Sequence, residues 1–195
     1  MIARDGEIGP APKEQDDIPL KIESPAFSEG EGIPVRHTFE AEDISPPLSW
    51  SDVPAGSESL ALIVEDSDAV NPTVQHAAWL HWLLYNIPPV NFELPENMTA
   101  LLPGSKEGLN DWKRTGYFGP RPSIDTHRYF FRILALDTTL HFARPPLRSE
   151  FEAAIAGHVL AEATLMGRFG GEYTVTRASG YAQTYGARRS GQARG

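Results

Sequence analysis

Three apolar runs decide what this chain can become. They are SLALIVED (59–66), AWLHWLLYNI (78–87) and HRYFFRILALD (127–137), rich in aromatic and β-branched residues and alternating faces at the two-residue period of a strand. In the first, Leu60, Leu62, Val64 and Asp66 share a face. In the second, Trp79, His81, Leu83 and Tyr85 share one; in the third, His127, Tyr129, Phe131 and Ile133 do. Pro88-Pro89 ends the second run. A shorter strand is expected in LKIES, near Leu20. The prolines of SPPLSW (45–50) suit a short edge strand or an irregular entry. EYTVT (172–176) reads as a final strand.

One helix is predicted, from Arg148 to Arg168. Phe151, Ala154, Ile155, His158, Val159, Glu162, Leu165 and Met166 line one face at helical spacing. Ser149 and Glu152 offer a capping box, and Gly167 a stop. Long strands first, one late helix, and neither a βαβ alternation nor an internal repeat argue for an antiparallel, mainly β fold with a helix packed on it.

The 195 residues suit one domain with a sizeable core. Residues 1–17 read as a loose N-terminal arm, 18–176 as the domain, and 177–195 as a mobile tail. That tail carries Arg177, Arg188, Arg189 and Arg194 and no acid; its plain reading is a frayed end, and its sharper one an arm touching an acidic partner or a membrane surface. The net charge of −9 opposes a broad nucleic-acid footprint, and any bound anion needs a local site. Cysteine is absent, which removes disulfides and thiolate chemistry and fits a reducing cytoplasm. The acidic N-terminus lacks the apolar stretch of a targeting signal, and no run is long enough to span a membrane. Residues 88–126 form a long, turn-rich middle of the kind that often carries function.

Asp66, His81 and His127 fall at the ends of predicted strands, where a pocket mouth can form. Two histidines and a carboxylate allow three chemistries: a metal site, a hydrolytic base with its orienting acid, or an anion pocket whose imidazoles and Tyr129 hydroxyl donate. Hydrolysis lacks a nucleophile, since there is neither a G-x-S-x-G elbow nor a cysteine. A metal lacks H-E-x-x-H, and Asp66-x-Asp68 does not continue as a calcium loop, having Val70 and Asn71 where a ligand and a glycine belong. Each histidine taken alone reads first as a satisfied core or turn residue. His158 and Glu162 read as a buried pair on the helix face, Arg128 and Arg132 as paired structural arginines, and Trp50, Trp79 and Trp82 as core or pocket wall.

In their order and spacing, SPPLSW, LALIVEDSDA, HWLLYNIP, GP-x-P and HRYFFRILALD resemble the phosphatidylethanolamine-binding protein family. GHVLAEATLMG (157–167) resembles the late helix of its bacterial, Raf kinase inhibitor-like branch. The resemblance spans about residues 18–170 and implies a β-sandwich with flanking helices and a small anion pocket. It implies ligand-binding roles for Asp66, Asp68, Trp79, His81, Gly119, Pro120, His127 and Tyr129, with loop amides around Gly119. It implies a non-catalytic protein without cofactor or resident metal, binding a phosphorylated group or phospholipid head group. Modulation of a kinase, inhibition of a serine protease and a homodimer are further implications. The alternative is a metal-dependent or hydrolytic enzyme using Asp66, His81 and His127. The family's D-P-D-A-P reads D-S-D-A-V here, with Ser67 and Val70 replacing prolines that would stiffen the loop. Asp125 stands where the family has glycine; if φ is positive there, Asp is among the better replacements.

Overall fold

The computed structural model describes residues 19–70, 78–122 and 125–170, and the backbone of Val175–Thr176 and Ala182–Gln183. The expected N-terminal arm and nearly all of the arginine-bearing tail lie outside these residues.

Eight strands and one helix build the described body. β1 (Lys21–Glu23), β2 (Leu48–Ser51) and β5 (Phe92–Leu94) form a small antiparallel sheet in the order β1-β2-β5. β3 (Ser59–Val70), β4 (Ala78–Ile87), β6 (Lys106–Glu107), β7 (Thr126–Leu136) and β8 (Val159–Gly170) form the large antiparallel sheet, ordered β6-β4-β3-β7-β8. The mainly β, antiparallel architecture matches the reading from sequence. SPPLSW does not supply an edge strand: β2 is the centre of its sheet. Pro46 and Pro47 precede Leu48, so both ladders of β2 form beyond the residues that lack an N–H.

The core follows from strand parity. Leu60, Leu62 and Val64 of β3, Trp82 and Leu84 of β4, and Tyr129, Phe131 and Ile133 of β7 pack against Ile22, Leu48, Trp50 and Leu94 of the small sheet. Ala61, Ile63, Leu83, Tyr85, Leu134 and Leu136 cover the other face of the large sheet, under Leu140 and Phe151. Burying each large apolar side chain contributes roughly 1.5–3 kcal/mol.

The helix prediction holds only for its first eight residues. α1 spans Arg148–Ile155, and Glu150, not the Ser149–Glu152 pair, caps it by accepting the Leu147 N–H at 2.8 Å. Gly157 then turns the chain at φ 82. The rest of the predicted helix is β8, which pairs with β7 from Leu136↔Val159 to Thr126↔Gly170. Gly167 is therefore no helix stop: it pairs with Tyr129, buried in mid-strand. Nor do His158 and Glu162 pair with each other. His158 Nδ1 meets Asp137 Oδ1 at 2.7 Å, while Glu162 receives the Arg132 guanidinium at 2.7 and 3.1 Å.

Candidate functional site

Register brings Asp66 between Trp79 of β4 and Tyr129 of β7, with which it pairs directly on either side. Their side chains therefore share one face of the large sheet. His127, two residues before Tyr129, extends the same face, and its Nδ1 lies 2.8 Å from Asp66 Oδ2.

His81 reaches this face by a different route from the expected alternation. β3 and β4 pair Val64↔Trp82 and then Glu65↔Leu80, which leaves His81 unopposed in a bulge. The parity of β4 breaks there. Leu83 and Tyr85 turn to the outer cluster, whereas the His81 ring packs edge-on to Tyr129 at 5.4 Å. The bulge thus puts His81 and Trp82 toward the same side of the sheet, against the expected grouping of Trp79, His81, Leu83 and Tyr85.

Asp66 is 2% exposed, and its two oxygens have separate tasks. Oδ1 accepts the N–H groups of Asp68 and Ala69 at 2.9 and 3.0 Å and shapes the D-S-D-A loop. Oδ2 accepts from His127 Nδ1, so the proton of that ring sits on Nδ1. Asp68 turns away to Arg128, accepting from its backbone N–H at 2.8 Å and from Nε and Nη2 at 3.0 and 2.7 Å. The Arg128 hydrogen bonds hold its carboxyl below the usual range. Arg128 is the structural arginine expected, and Asp68 supports the loop beside the site. Asp125 has φ 61, the left-handed conformation that its replacement of glycine required.

The long middle segment supplies the far wall. Asp111 ties it to β4: its Oδ2 accepts the Leu80 N–H at 2.7 Å, and its own N–H donates to the Leu80 carbonyl at 3.0 Å. This sets Trp112 5.3 Å from the Trp79 ring and 5.0 Å from the His81 ring, with Phe118 stacked on Trp112 at 5.5 Å. The Phe118 carbonyl accepts His81 Nδ1–H at 2.6 Å. Burial lowers the His81 pKa, opposed by this bond and by Asp66 and Asp111, so the ring is neutral with its lone pair on Nε2. Gly119 and Pro120 are buried next to this wall, but the Gly119 N–H donates to Asp43 Oδ1 at 2.7 Å and is already engaged. The loop amide expected to meet an anion is thus occupied by a carboxylate.

Trp112, Phe118 and Asp43 went unnoticed in the sequence. The aromatic spacing in NDWKRTGYFGP was the available signal for the first two; nothing local marks Asp43.

Four buried side-chain polar atoms among the described residues lack a hydrogen-bond partner: Arg36 Nε, Ser67 Oγ, Trp79 Nε1 and Tyr129 Oη. Two of them, Trp79 and Tyr129, flank Asp66 in the same row. Burial and the nearby Asp66 carboxylate raise the Tyr129 pKa, so the phenol keeps its proton. A groove of about 460 Å³ lies elsewhere, on the small sheet between Lys21, Ser49, Phe92 and Glu93. It contains none of these residues and is an open surface furrow.

The two antiparallel sheets, with the imidazole–carboxylate–aromatic row on one face of the larger, define a mainly β protein. Residues 23–170 match the model of the phosphatidylethanolamine-binding protein family. The chain belongs to that family. It is 43% identical over 153 residues to a UPF0098 protein of Methanothermobacter thermautotrophicus, covering 77% of this chain and 98% of that one. Its fold is similar to that of a putative phosphatidylethanolamine-binding protein homolog from Chlamydia trachomatis, at TM-score 0.72 and 37% identity, over 78% of this chain and 98% of the other. It is similar also to Escherichia coli YbcL, described as a new member of the mammalian family, at TM-score 0.71 and 27% identity with the same coverage. Membership of this family points to a binding protein. No helix among the described residues is long and apolar enough to cross a membrane.

Proposed function

We propose that the row formed by Trp79, Asp66, Tyr129 and His127, closed by His81, binds a small anionic group without catalysing a reaction on it. The observation that carries this reading is the pair of buried, unpartnered donors, Trp79 Nε1–H and Tyr129 O–H, on either side of Asp66. An unmade hydrogen bond costs roughly 1–3 kcal/mol for each buried group, and an oxyanion would satisfy both. On binding, an anion draws a second proton onto imidazole Nε2, and this supplies the positive charge that the rest of the row lacks. Each histidine holds its Nδ1 proton on a fixed acceptor, so Nε2 is the nitrogen left for a ligand. A phosphate monoester fits this donor set, whether it belongs to a phospholipid head group or to a phosphorylated side chain of a protein partner. Modulation of a kinase or inhibition of a serine protease would follow from capture of such a partner.

The test is a titration of the full chain with inorganic phosphate and with phosphorylethanolamine, read from the imidazole NMR signals of His81 and His127. Both rings are expected to respond at millimolar ligand, with affinity rising as the pH falls, because an anion favours protonated imidazole. Silence of both rings rules the reading out.

One observation favours a second reading, an enzyme with a metal. Histidines that hold metals usually donate their other ring N–H to a carboxylate or carbonyl, as both do here. Among the described residues, no three His, Asp or Glu side chains cluster as a ligand set. Elemental analysis decides: a stoichiometric metal lost on His81→Ala would establish this reading in place of the first.

A further inference from the structure

The peptide group between Phe118 and Gly119 is held from both sides. Its carbonyl accepts His81 Nδ1–H at 2.6 Å, and its N–H donates to Asp43 Oδ1 at 2.7 Å. A carboxylate, a peptide and an imidazole thus stand in one line of hydrogen bonds. A bond to an ionised acceptor is about twice as strong as a neutral one, and bonds in a chain polarise each other. The surroundings keep the line in place. Asp43 adopts φ 55, which Asp tolerates better than most residues. A Cβ on Gly119 would collide with the His37 carbonyl oxygen and come within 2.8 Å of Asp43 Oδ1, so only glycine permits this approach. The Tyr117 hydroxyl donates to the His37 carbonyl at 2.7 Å, and the Phe39 N–H donates to the Pro120 carbonyl at 3.1 Å. These contacts lock residues 37–43 onto residues 117–120.

We infer that Asp43 is a positioning residue for the binding site: by gripping the Phe118–Gly119 peptide it keeps the His81 proton on Nδ1 and leaves Nε2 to meet the ligand. Without that grip the peptide is free to rotate, its carbonyl leaves Nδ1, and the two tautomers of a neutral imidazole compete. A ring whose Nδ1 has lost its carbonyl acceptor takes up a second proton less readily, so less positive charge meets the anion. Asp43 thereby acts on a site that it does not itself touch. The inference rests on the anion-pocket reading for its consequence on binding, but not for the tautomer.

The experiment records long-range ¹⁵N–¹H imidazole spectra of the ligand-free full chain, alongside phosphate titrations, for the wild type, Asp43→Ala and Asp43→Asn. In the wild type His81 is expected as the Nδ1–H tautomer alone. Asp43→Ala is expected to introduce the Nε2–H tautomer and to weaken phosphate binding several-fold. Asp43→Asn, which keeps an acceptor oxygen, is expected to restore the wild-type tautomer. Pure Nδ1–H in Asp43→Ala overturns the inference. Should that variant fail to fold, Asp43→Asn decides alone. The weaker acceptor shifts the Gly119 amide proton, and the His81 Nδ1 proton must shift with it; an unmoved His81 proton overturns the relay. A wild type indifferent to millimolar phosphate overturns the anion-pocket reading, while the tautomer pattern still decides the role of Asp43.

Discussion

Asp66 Oδ2 holds His127 Nδ1 at 2.8 Å across a sequence separation of 61 residues. The same carboxylate accepts two loop N–H groups through its other oxygen. One side chain therefore sets both the tautomer of an imidazole and the path of the loop beside it.

Asp66→Ala is expected to destabilise the fold by about 2–4 kcal/mol, since it leaves two amides and one imidazole N–H without an acceptor at a buried position. Asp66→Asn keeps an oxygen for the amides but turns an NH₂ toward His127, forcing that ring to carry its proton on Nε2. Its loss of stability is expected to be smaller, with a reversed His127 tautomer. Denaturant midpoints give the first comparison and ¹⁵N imidazole shifts the second. Equal stability of the wild type and Asp66→Ala would mean that the loop does not depend on this carboxylate.

How much of this was legible beforehand depended on whether the signal was local. β4 was bounded correctly at Ala78 and Ile87 because Pro88-Pro89 is a local stop. Alternation alone put His127 with Tyr129 on one face of β7 and Asp66 with Leu60, Leu62 and Val64 on one face of β3; joining those faces took the register between the strands. The His81 bulge was not legible either, because a register shift between two strands leaves no mark in either one. The late segment shows the opposite failure. VLAEATLMGRF satisfies helical spacing, yet Ala161, Ala163, Leu165, Gly167 and Phe169 also alternate, and the open edge of β7 selects the strand. Asp43 and Trp112 reach the site only through long-range docking, so neither could be found from spacing.

Stability should fall on acidification through the neutral range. His81 and His37 are both buried and held below the ordinary imidazole value of 6.5, burial being the main cause in each. The Phe118 carbonyl opposes it for His81, and the Ile44 carbonyl and Glu96 oppose it for His37. The unfolded chain binds these protons near pH 6.5, and the folded chain only below it. Stability is thus complete above pH 6.5 and declines as the pH drops toward the folded values. The slope is at most about 1.4 kcal/mol per pH unit for each histidine. Chemical denaturation at several pH values measures it, and His37→Gln should remove its own share. A flat profile between about pH 7 and about pH 5.5 would contradict the neutral, buried state of both rings.

Two ion pairs on α1 should differ sharply in worth. Glu65 is buried and receives Arg148 Nη2 at 2.6 Å and Arg132 Nη1 at 3.1 Å, while Arg148 Nη1 also donates to the Ala78 carbonyl at 2.8 Å. This network joins α1 to the start of β4, one residue before Trp79. Glu65→Ala leaves Arg148, whose side chain is 17% exposed, with only the exposed Glu152 carboxylate and the Ala78 carbonyl, and is expected to cost about 2 kcal/mol. Arg144 and Glu150 also meet at 2.6 Å, but their side chains are 59% and 40% exposed. Arg144→Ala is expected to cost far less, because water and salt screen that pair. Parallel urea titrations compare the two, and equal losses would contradict the burial argument.

Gly167 distinguishes a strand from a helix in the late segment by the sign of a single substitution. In a helix extending to Arg168, Gly167→Ala would stabilise by up to about 1 kcal/mol, since alanine replaces the most flexible residue in a helical position. In β8, a Cβ on Gly167 would lie 2.5 Å from Ile33 Cγ1 and 2.8 Å from Phe27 Cε2, both in the core. Room can come only from shifting buried side chains, or from moving β8 away from residues 30–33. Those residues exchange backbone hydrogen bonds with Met166 and Arg168 at 2.8–2.9 Å. Overpacking of this kind costs about 1–3 kcal/mol. Gly157→Ala is the control: no atom lies within 4 Å of the added Cβ, and its penalty is only that of φ 82, about 1 kcal/mol. The expected order of thermal midpoints is wild type above Gly157→Ala above Gly167→Ala. A Gly167→Ala variant more stable than the wild type would return the segment to a helix and remove the β7–β8 pairing that holds Tyr129 in the binding row.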